Sequence, residues 1–184
     1  MKIATLASIL LLFWGQTVPD KLVPPGQAAL TSEQVQPIIQ KYVHQWEILN
    51  PKRPMWVSLA GPGDPVNVPG VRFGTPEKPV AGMENQITAV LIIINKNMIP
   101  DSILTTFTHE HGHAEYQEAH PNDFQEIDSE VAAVKSSLTI LPREGFEYLA
   151  YREAKAVKEM SKDDPYRSAV QRLANDPLWI KYSQ

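Results

Sequence analysis

Residues 107–116, FTHEHGHAEY, contain three of the five histidines in the chain. His109 and His113 are four positions apart, about one turn of an α-helix, so both imidazoles can bind the same metal ion. Glu110 is adjacent and can accept a proton from water activated by that ion. This H-E-x-x-H pattern predicts a zinc site with Glu110 as the general base. The alternative interpretation is a charged helix face that holds no metal.

The residues between Glu110 and His113 are also informative. On a helix, His111 points to roughly the opposite side from the two predicted ligands, so we expect it on the surface or behind the ligands. Gly112 costs a helix about 1 kcal/mol relative to alanine. A glycine at this position therefore indicates that a neighbouring backbone approaches closely.

A third ligand must come from elsewhere in the chain. Cysteine is absent, so any transition-metal site relies on His, Asp and Glu. Residues 122–141, NDFQEIDSEVAAVKSSLTIL, have apolar residues at helical spacing. Within this helix we choose Glu130, because the small residues Ala132 and Ala133 that follow permit close helix contact around a metal.

Two further acids lie on the same predicted helix. Glu126 shares a face with Glu130 and is an alternative ligand. Glu126 and Asp128 can also accept a hydrogen bond from the second ring nitrogen of a ligand histidine, a contact that metal-binding histidines usually require.

The stretch from about residue 85 to residue 155 resembles gluzincin-type zinc metallopeptidases, whose H-E-x-x-H motif is followed by a glutamate on a later helix. The resemblance implies that His109, His113 and Glu130 bind zinc and that Glu110 is the general base. An acid often follows the glutamate ligand by three residues in this group. Ala133 occupies that position here, so the usual contact behind the ligand must come from elsewhere.

Two short segments are similar to motifs of large zinc aminopeptidases. Residues 82–85, GMEN, are similar to their G-x-M-E-N motif, which implies that Glu84 lines the substrate pocket. The segment REGF at Arg143 is similar to their N-E-G-F-A segment, in which case Glu144 would replace Glu130 as the ligand. Because the spacing from His113 is longer than in that family, we retain Glu130.

Hydrophobic spacing indicates the elements that position these residues. Helices are predicted from Thr31 or Ser32, from Pro100, over 122–141 and over 147–162, followed by a short closing helix with a packed Trp179. Strands are predicted at 55–59, 71–73 and, most strongly, 87–95. The expected fold class is α+β and zincin-like: a small mixed sheet packed on a metal-binding helix pair, with additional C-terminal helices.

The N-terminus predicts export. Lys2 precedes an apolar run over residues 3–14, which has the length of a signal-peptide core and is short for a bilayer span. Residues 1–30 are thus interpreted as a signal peptide or uncleaved anchor plus a linker, and residues 31–184 as one metallopeptidase domain. The expected location is secreted or periplasmic, with membrane association only through residues 3–14.

The predicted reaction is zinc-dependent hydrolysis of peptide bonds in a peptide or protein substrate. The net charge of −4 gives no electrostatic reason to expect a nucleic acid partner. A donor for the tetrahedral intermediate is sought among five residues: His120, Tyr116, Tyr148, Tyr151 and Arg143.

Two alternatives stay open. One is a non-catalytic secreted or phage-type binding or assembly module, whose structural zinc site would be closed by a fourth ligand such as His120. The other is a cytoplasmic regulatory peptidase with the same H-E-x-x-H helix.

Overall fold

The computed structural model describes residues 29–60, 70–74, 89–95, 98–121, 123, 125–161 and 166–184. The strands are β1 (Met55–Ala60), β2 (Gly70–Gly74) and β3 (Ala89–Asn95). The helices are α1 (Ser32–Leu49), α2 (Pro100–Ala119), α3 (Glu126–Arg143), α4 (Glu147–Met160), α5 (Tyr166–Leu173) and α6 (Pro177–Tyr182). The described chain is mostly helical and includes a small mixed sheet, in agreement with the predicted α+β class.

The sheet has the order β1-β3-β2. Strand β3 pairs in parallel with β1, with Met55 opposite Val90, and antiparallel with β2. The strongest predicted strand is thus the central one. The side chains of Val90, Ile92 and Ile94 are fully buried, as expected for β-branched residues within a sheet.

Helix α1 begins where the capping signal predicts. Thr31 is its N-cap, and the Thr31 backbone N–H donates to the Gln34 side chain over 2.9 Å. Near the other end, the buried Trp46 donates from Nε1 to the Arg53 carbonyl over 2.7 Å. This bond ties the end of α1 to the turn that leads into β1.

The described residues form two compact units, and the division falls within α2 between Phe107 and Thr108. The first unit contains α1, the sheet and the first turns of α2. The second contains the rest of α2 and helices α3 to α6. The assignment of residues 31–184 to a single domain stays a prediction.

A tight turn joins α3 to α4. Gly145 has φ of +88°, a left-handed conformation that favours glycine. The N–H of Phe146 donates to the Leu141 carbonyl over 2.8 Å, and that of Gly145 to the Pro142 carbonyl over 3.0 Å. These two bonds define a Schellman motif, which satisfies the last carbonyls of α3 and sets where α4 begins.

The C-terminus forms two helices where the sequence analysis expects one. Asp176 caps α6 by accepting from the Leu178 N–H over 2.9 Å, and Pro177 occupies the first helical position. This start signal ends α5 and opens a second helix. Trp179 on α6 is buried, as predicted.

Several predictions concern residues that the structure does not describe: the apolar run 3–14 and Glu84. Of the helices that the structure does describe, none has both the length and the apolar character required to cross a bilayer.

Candidate metal centre

The H-E-x-x-H segment lies inside the protein. Every residue from Leu104 to Gly112 on α2 is buried, and His109, Glu110 and His111 are 2%, 4% and 5% exposed. A solvated helix face would leave such polar side chains in water. The interpretation as a solvated, charged helix face is therefore wrong, and of the two positions expected for His111 the surface is excluded.

His109, His113 and Glu130 form a group that can hold a metal ion. Nε2 of His109 is 3.6 Å from Oε2 of Glu130, and Nε2 of His113 is 3.6 Å from Oε1 of the same carboxylate. The three offered ligand atoms all lie within 4.8 Å of one another. Ligand bonds of about 2.0–2.1 Å to zinc place neighbouring ligand atoms roughly 3–4 Å apart. The observed spacing fits such an ion.

The other ring nitrogen of each histidine is hydrogen-bonded. Nδ1 of His109 lies 2.9 Å from Oε1 of Glu153, and Nδ1 of His113 lies 2.8 Å from Oγ of Ser129. Both Nδ1 atoms are thus engaged, and both Nε2 atoms lie towards Glu130. Metal-binding histidines show this division of roles between their two nitrogens.

The acids predicted to orient these imidazoles do not do so. Asp128 forms an ion pair with Arg172. Glu126 is exposed at the start of α3. Glu153 and Ser129 make these contacts instead, and the sequence analysis named neither of them.

Two buried atoms at the centre have no hydrogen-bond partner among the described residues: Nε2 of His109 and Oε2 of Glu130. Leaving a buried polar atom unsatisfied costs about 1–3 kcal/mol. A metal ion between these atoms would supply the missing partner to both. The donor set therefore fits a metal ion on structural grounds alone.

The charges of the ligands depend on one another. Burial disfavours protonated His109, but the nearby carboxylates of Glu130 and Glu153 outweigh it and raise its pKa well above the usual value. Burial lowers the pKa of His113 to about 4. Burial also opposes ionisation of Glu130, yet the neighbouring His109 and His113 lower the pKa of that carboxyl.

Negative charge accumulates in the second unit. Glu130 and Glu153 are both buried beside the two histidines, and no lysine or arginine is buried among the described residues. Buried carboxylates need a positive partner or a metal. A divalent cation at the two histidines would supply that charge.

Gly112 lets α2 and α3 approach closely. A Cβ added to Gly112 would lie 2.7 Å from Cα of Ala133 and 2.8 Å from the carbonyl oxygen of Ala132. One turn away, Thr108 and Ser137 share a buried hydrogen bond of 3.0 Å. The expected close backbone approach at Gly112 is confirmed, and it lets Glu130 reach both histidines.

Other sequence candidates lie outside the three-ligand group. Nδ1 of His111 is 3.5 Å from the Glu115 carboxylate. His120 is exposed, with its Nδ1 2.9 Å from the Tyr116 carbonyl, and the two rings stack. Glu144 caps the end of α3.

Among the remaining predicted donors, Tyr151 packs edge-on against Tyr182, Arg143 is exposed and Tyr148 is buried on α4. Tyr166, at the start of α5, was not considered in the sequence analysis. Its hydroxyl is buried without a hydrogen-bond partner among the described residues. Burial, and after it the negative charges of Glu130 and Glu110, raise the pKa of Tyr166. The phenol is therefore neutral and lies within electrostatic range of the centre.

Comparisons of the chain with protein-family models, curated proteins and solved structures give no significant match.

Proposed function

We propose that the protein is a zinc-dependent peptidase with a zincin-like fold. The observation that carries the proposal is the convergence of His109, His113 and Glu130, with both histidine Nδ1 atoms already engaged elsewhere. Bound zinc would supply water activation at neutral pH and polarisation of the scissile carbonyl.

Glu110 is the proposed general base. It directly follows the ligand His109 on α2, and its side chain is buried. We expect Glu110 to take the proton of the attacking water and pass it to the leaving amine.

Tyr166 is the proposed hydrogen-bond donor to the substrate carbonyl oxygen. Its hydroxyl has no hydrogen-bond partner among the described residues, and burial together with the surrounding carboxylates keeps it protonated. A neutral phenol donates a hydrogen bond without adding charge to the ground state. Such donors stabilise the negative charge that develops on the carbonyl oxygen.

The described centre does not support a closed structural site. Closure requires a fourth protein ligand. His120, the predicted candidate, is exposed and stacked on Tyr116. An open position favours catalysis, and the apolar run after Lys2 supports export as the proposed location.

Elemental analysis of purified protein tests the metal assignment, with Glu126→Ala as the matched control. We expect about one zinc per chain in the wild type, in Glu110→Gln and in Glu126→Ala, and strongly reduced zinc in Glu130→Ala. Glu126 is on the same helix as Glu130 but is exposed. In peptide-library assays, Glu110→Gln should lose roughly 10²–10⁴-fold in rate.

Wild-type protein that binds no zinc after reconstitution would contradict the metal centre. Normal peptidase activity in Glu110→Gln would contradict the role of Glu110 and leave the ligands unaffected.

A further inference from the structure

We propose that Glu153 is a positioning residue of the metal centre, which holds Nε2 of His109 towards the ion and contributes a charge that favours a divalent cation. This inference rests on the proposed function only in that a metal binds between His109, His113 and Glu130. It extends the centre to a third helix, α4.

The geometry fixes the orientation of the ring. Oε1 of Glu153 lies 2.9 Å from Nδ1 of His109, 44 positions earlier in the chain, and Glu153 is only 1% exposed. A carboxylate can only accept here, so Nδ1 carries the proton and donates it. In the neutral ring Nε2 then has a free lone pair, which is the form a metal requires.

Glu153 is a buried acid on an otherwise apolar face of α4. The helix face that carries it is apolar, with Leu149, Ala150, Ala154 and Val157 buried beside it. An acid within an apolar stripe is costly unless it has a partner. His109 provides one partner for Oε1, while Oε2 has none among the described residues.

The charge count favours a divalent ion. The Glu130 and Glu153 carboxylates carry two negative charges when ionised, and the two histidines are neutral as ligands. A 2+ ion neutralises this buried set, whereas a monovalent ion leaves net negative charge away from water.

The two histidines are held by chemically different partners. Ser129 offers His113 a neutral hydroxyl at 2.8 Å, whereas Glu153 offers His109 a carboxylate. A carboxylate partner raises the basicity of a ligand imidazole more than a hydroxyl does. Substitutions of Glu153 should thus weaken metal binding more than Ser129→Ala.

The test measures zinc and cobalt binding, and needs no substrate. The variants are Glu153→Gln, which keeps shape and removes charge, Glu153→Ala and the control Glu159→Gln, which changes an exposed acid on the same helix. Competition with a chromophoric chelator gives the zinc dissociation constant. We expect it to rise about 10–100-fold in both Glu153 variants and to stay unchanged in Glu159→Gln.

The cobalt-loaded protein gives a second readout. Its visible absorption reports ligand geometry, so Glu153→Gln should alter the band positions or intensities, which a loss of fold stability alone would not do. Circular dichroism of the metal-free variants verifies that they are folded, and Glu153→Gln is decisive if the alanine variant does not fold.

The outcomes separate this inference from the proposed function. Wild-type affinity and an unchanged cobalt spectrum in Glu153→Gln would overturn the role of Glu153 alone. Zinc binding that depends on Glu153 in a protein without peptidase activity would support this inference and contradict the proposed function. Failure of the wild type to bind either metal would overturn both.

Discussion

At the scale of single residues, the phenol of Tyr166 would distinguish the proposed catalytic centre from a site that only holds metal. Among the described residues, this buried hydroxyl has no hydrogen-bond partner and Tyr166 is not one of the grouped metal ligands. An unsatisfied buried donor is tolerated when a bound molecule completes it. The substrate carbonyl is the acceptor we propose.

We expect Tyr166→Phe to lower kcat by roughly 10²–10³-fold, because it removes one donor to the developing oxyanion. Zinc content should stay at the wild-type level. The free energy of unfolding should change by less than about 1 kcal/mol, since the lost hydroxyl has no hydrogen-bond partner in the part of the chain that the structure describes.

The control for this prediction is Tyr182→Phe. Tyr182 is equally buried, but its hydroxyl donates to Glu147 over 3.1 Å and is therefore used within the fold. Steady-state kinetics gives kcat for both variants. Equal kcat values in Tyr166→Phe and Tyr182→Phe would contradict a role of Tyr166 in the reaction.

At the scale of elements, the contact between α2 and α3 sets the distance between the histidines and their glutamate. Gly112 faces backbone atoms of Ala132 and Ala133, which cannot rotate away as the end of a flexible side chain can. Any side chain at this position therefore pushes the two helices apart.

Gly112→Ala should destabilise the protein by about 1–3 kcal/mol through overpacking, although alanine is favoured over glycine by about 1 kcal/mol in an unstrained helix. Zinc affinity should fall as well, because Glu130 moves away from His109 and His113. Denaturant unfolding and zinc titration measure the two effects. Glu115→Ala, on the exposed part of α2, is the control, and a stabilised Gly112→Ala would contradict the close approach.

Residues on α2 and α3 could be predicted from the sequence, whereas those on α4 and α5 could not. His109, Glu110 and His113 follow from the period of one helix, and Glu130 from the next helix along the chain. Glu153 and Tyr166 lie on α4 and α5, and their approach to the centre depends on tertiary packing that no local pattern encodes. One signal was nevertheless present: Glu153 interrupts the apolar stripe of α4, which marks a buried acid.

The α+β class follows from the strand pattern of residues 87–95, but strand order does not, because β1 and β2 pair with β3 over long sequence separations. The Gly145 turn has the left-handed glycine typical of a helix end. The division between Phe107 and Thr108 falls inside a continuous helix, where composition gives no boundary signal.

At the scale of the whole molecule, the charges of the centre link metal binding, pH and stability. In the metal-free protein the pKa of His109 is raised. Protonated His109 therefore stabilises the folded state below pH 6.5, the usual pKa of histidine. This stabilisation is lost as the pH rises through the pKa of His109 in the folded protein. The pKa of Glu130 is lowered, so its ionised carboxylate stabilises the folded state above pH 4.5, the usual pKa of glutamate. This stabilisation is lost as the pH falls through the pKa of Glu130 in the folded protein. These two contributions coincide at mildly acidic pH, between about 4.5 and 6.5.

Zinc binding near pH 6.5 should release about one proton, which comes from His109, because ligand histidines must be neutral. His113, with a pKa of about 4, is already neutral at that pH. Calorimetric titration in two buffers of different ionisation enthalpy measures the number released. Release of two protons, or of none, would contradict the unequal protonation of the two histidines. Zinc affinity should also weaken as the pH falls.

Glu153 and Ser129 contact the Nδ1 atoms of the two histidines, not the Nε2 atoms proposed to bind the ion. In the proposed centre the imidazoles are thus preorganised, and loading requires little loss of rotamer freedom. We therefore expect that a chelator can remove the ion and that the protein can take it up again without refolding. The affinities of sites built from nitrogen and oxygen ligands follow a general order among the divalent first-row metals. We therefore expect the bound metal to depend on which metals are available around the protein as well as on the preference of the site.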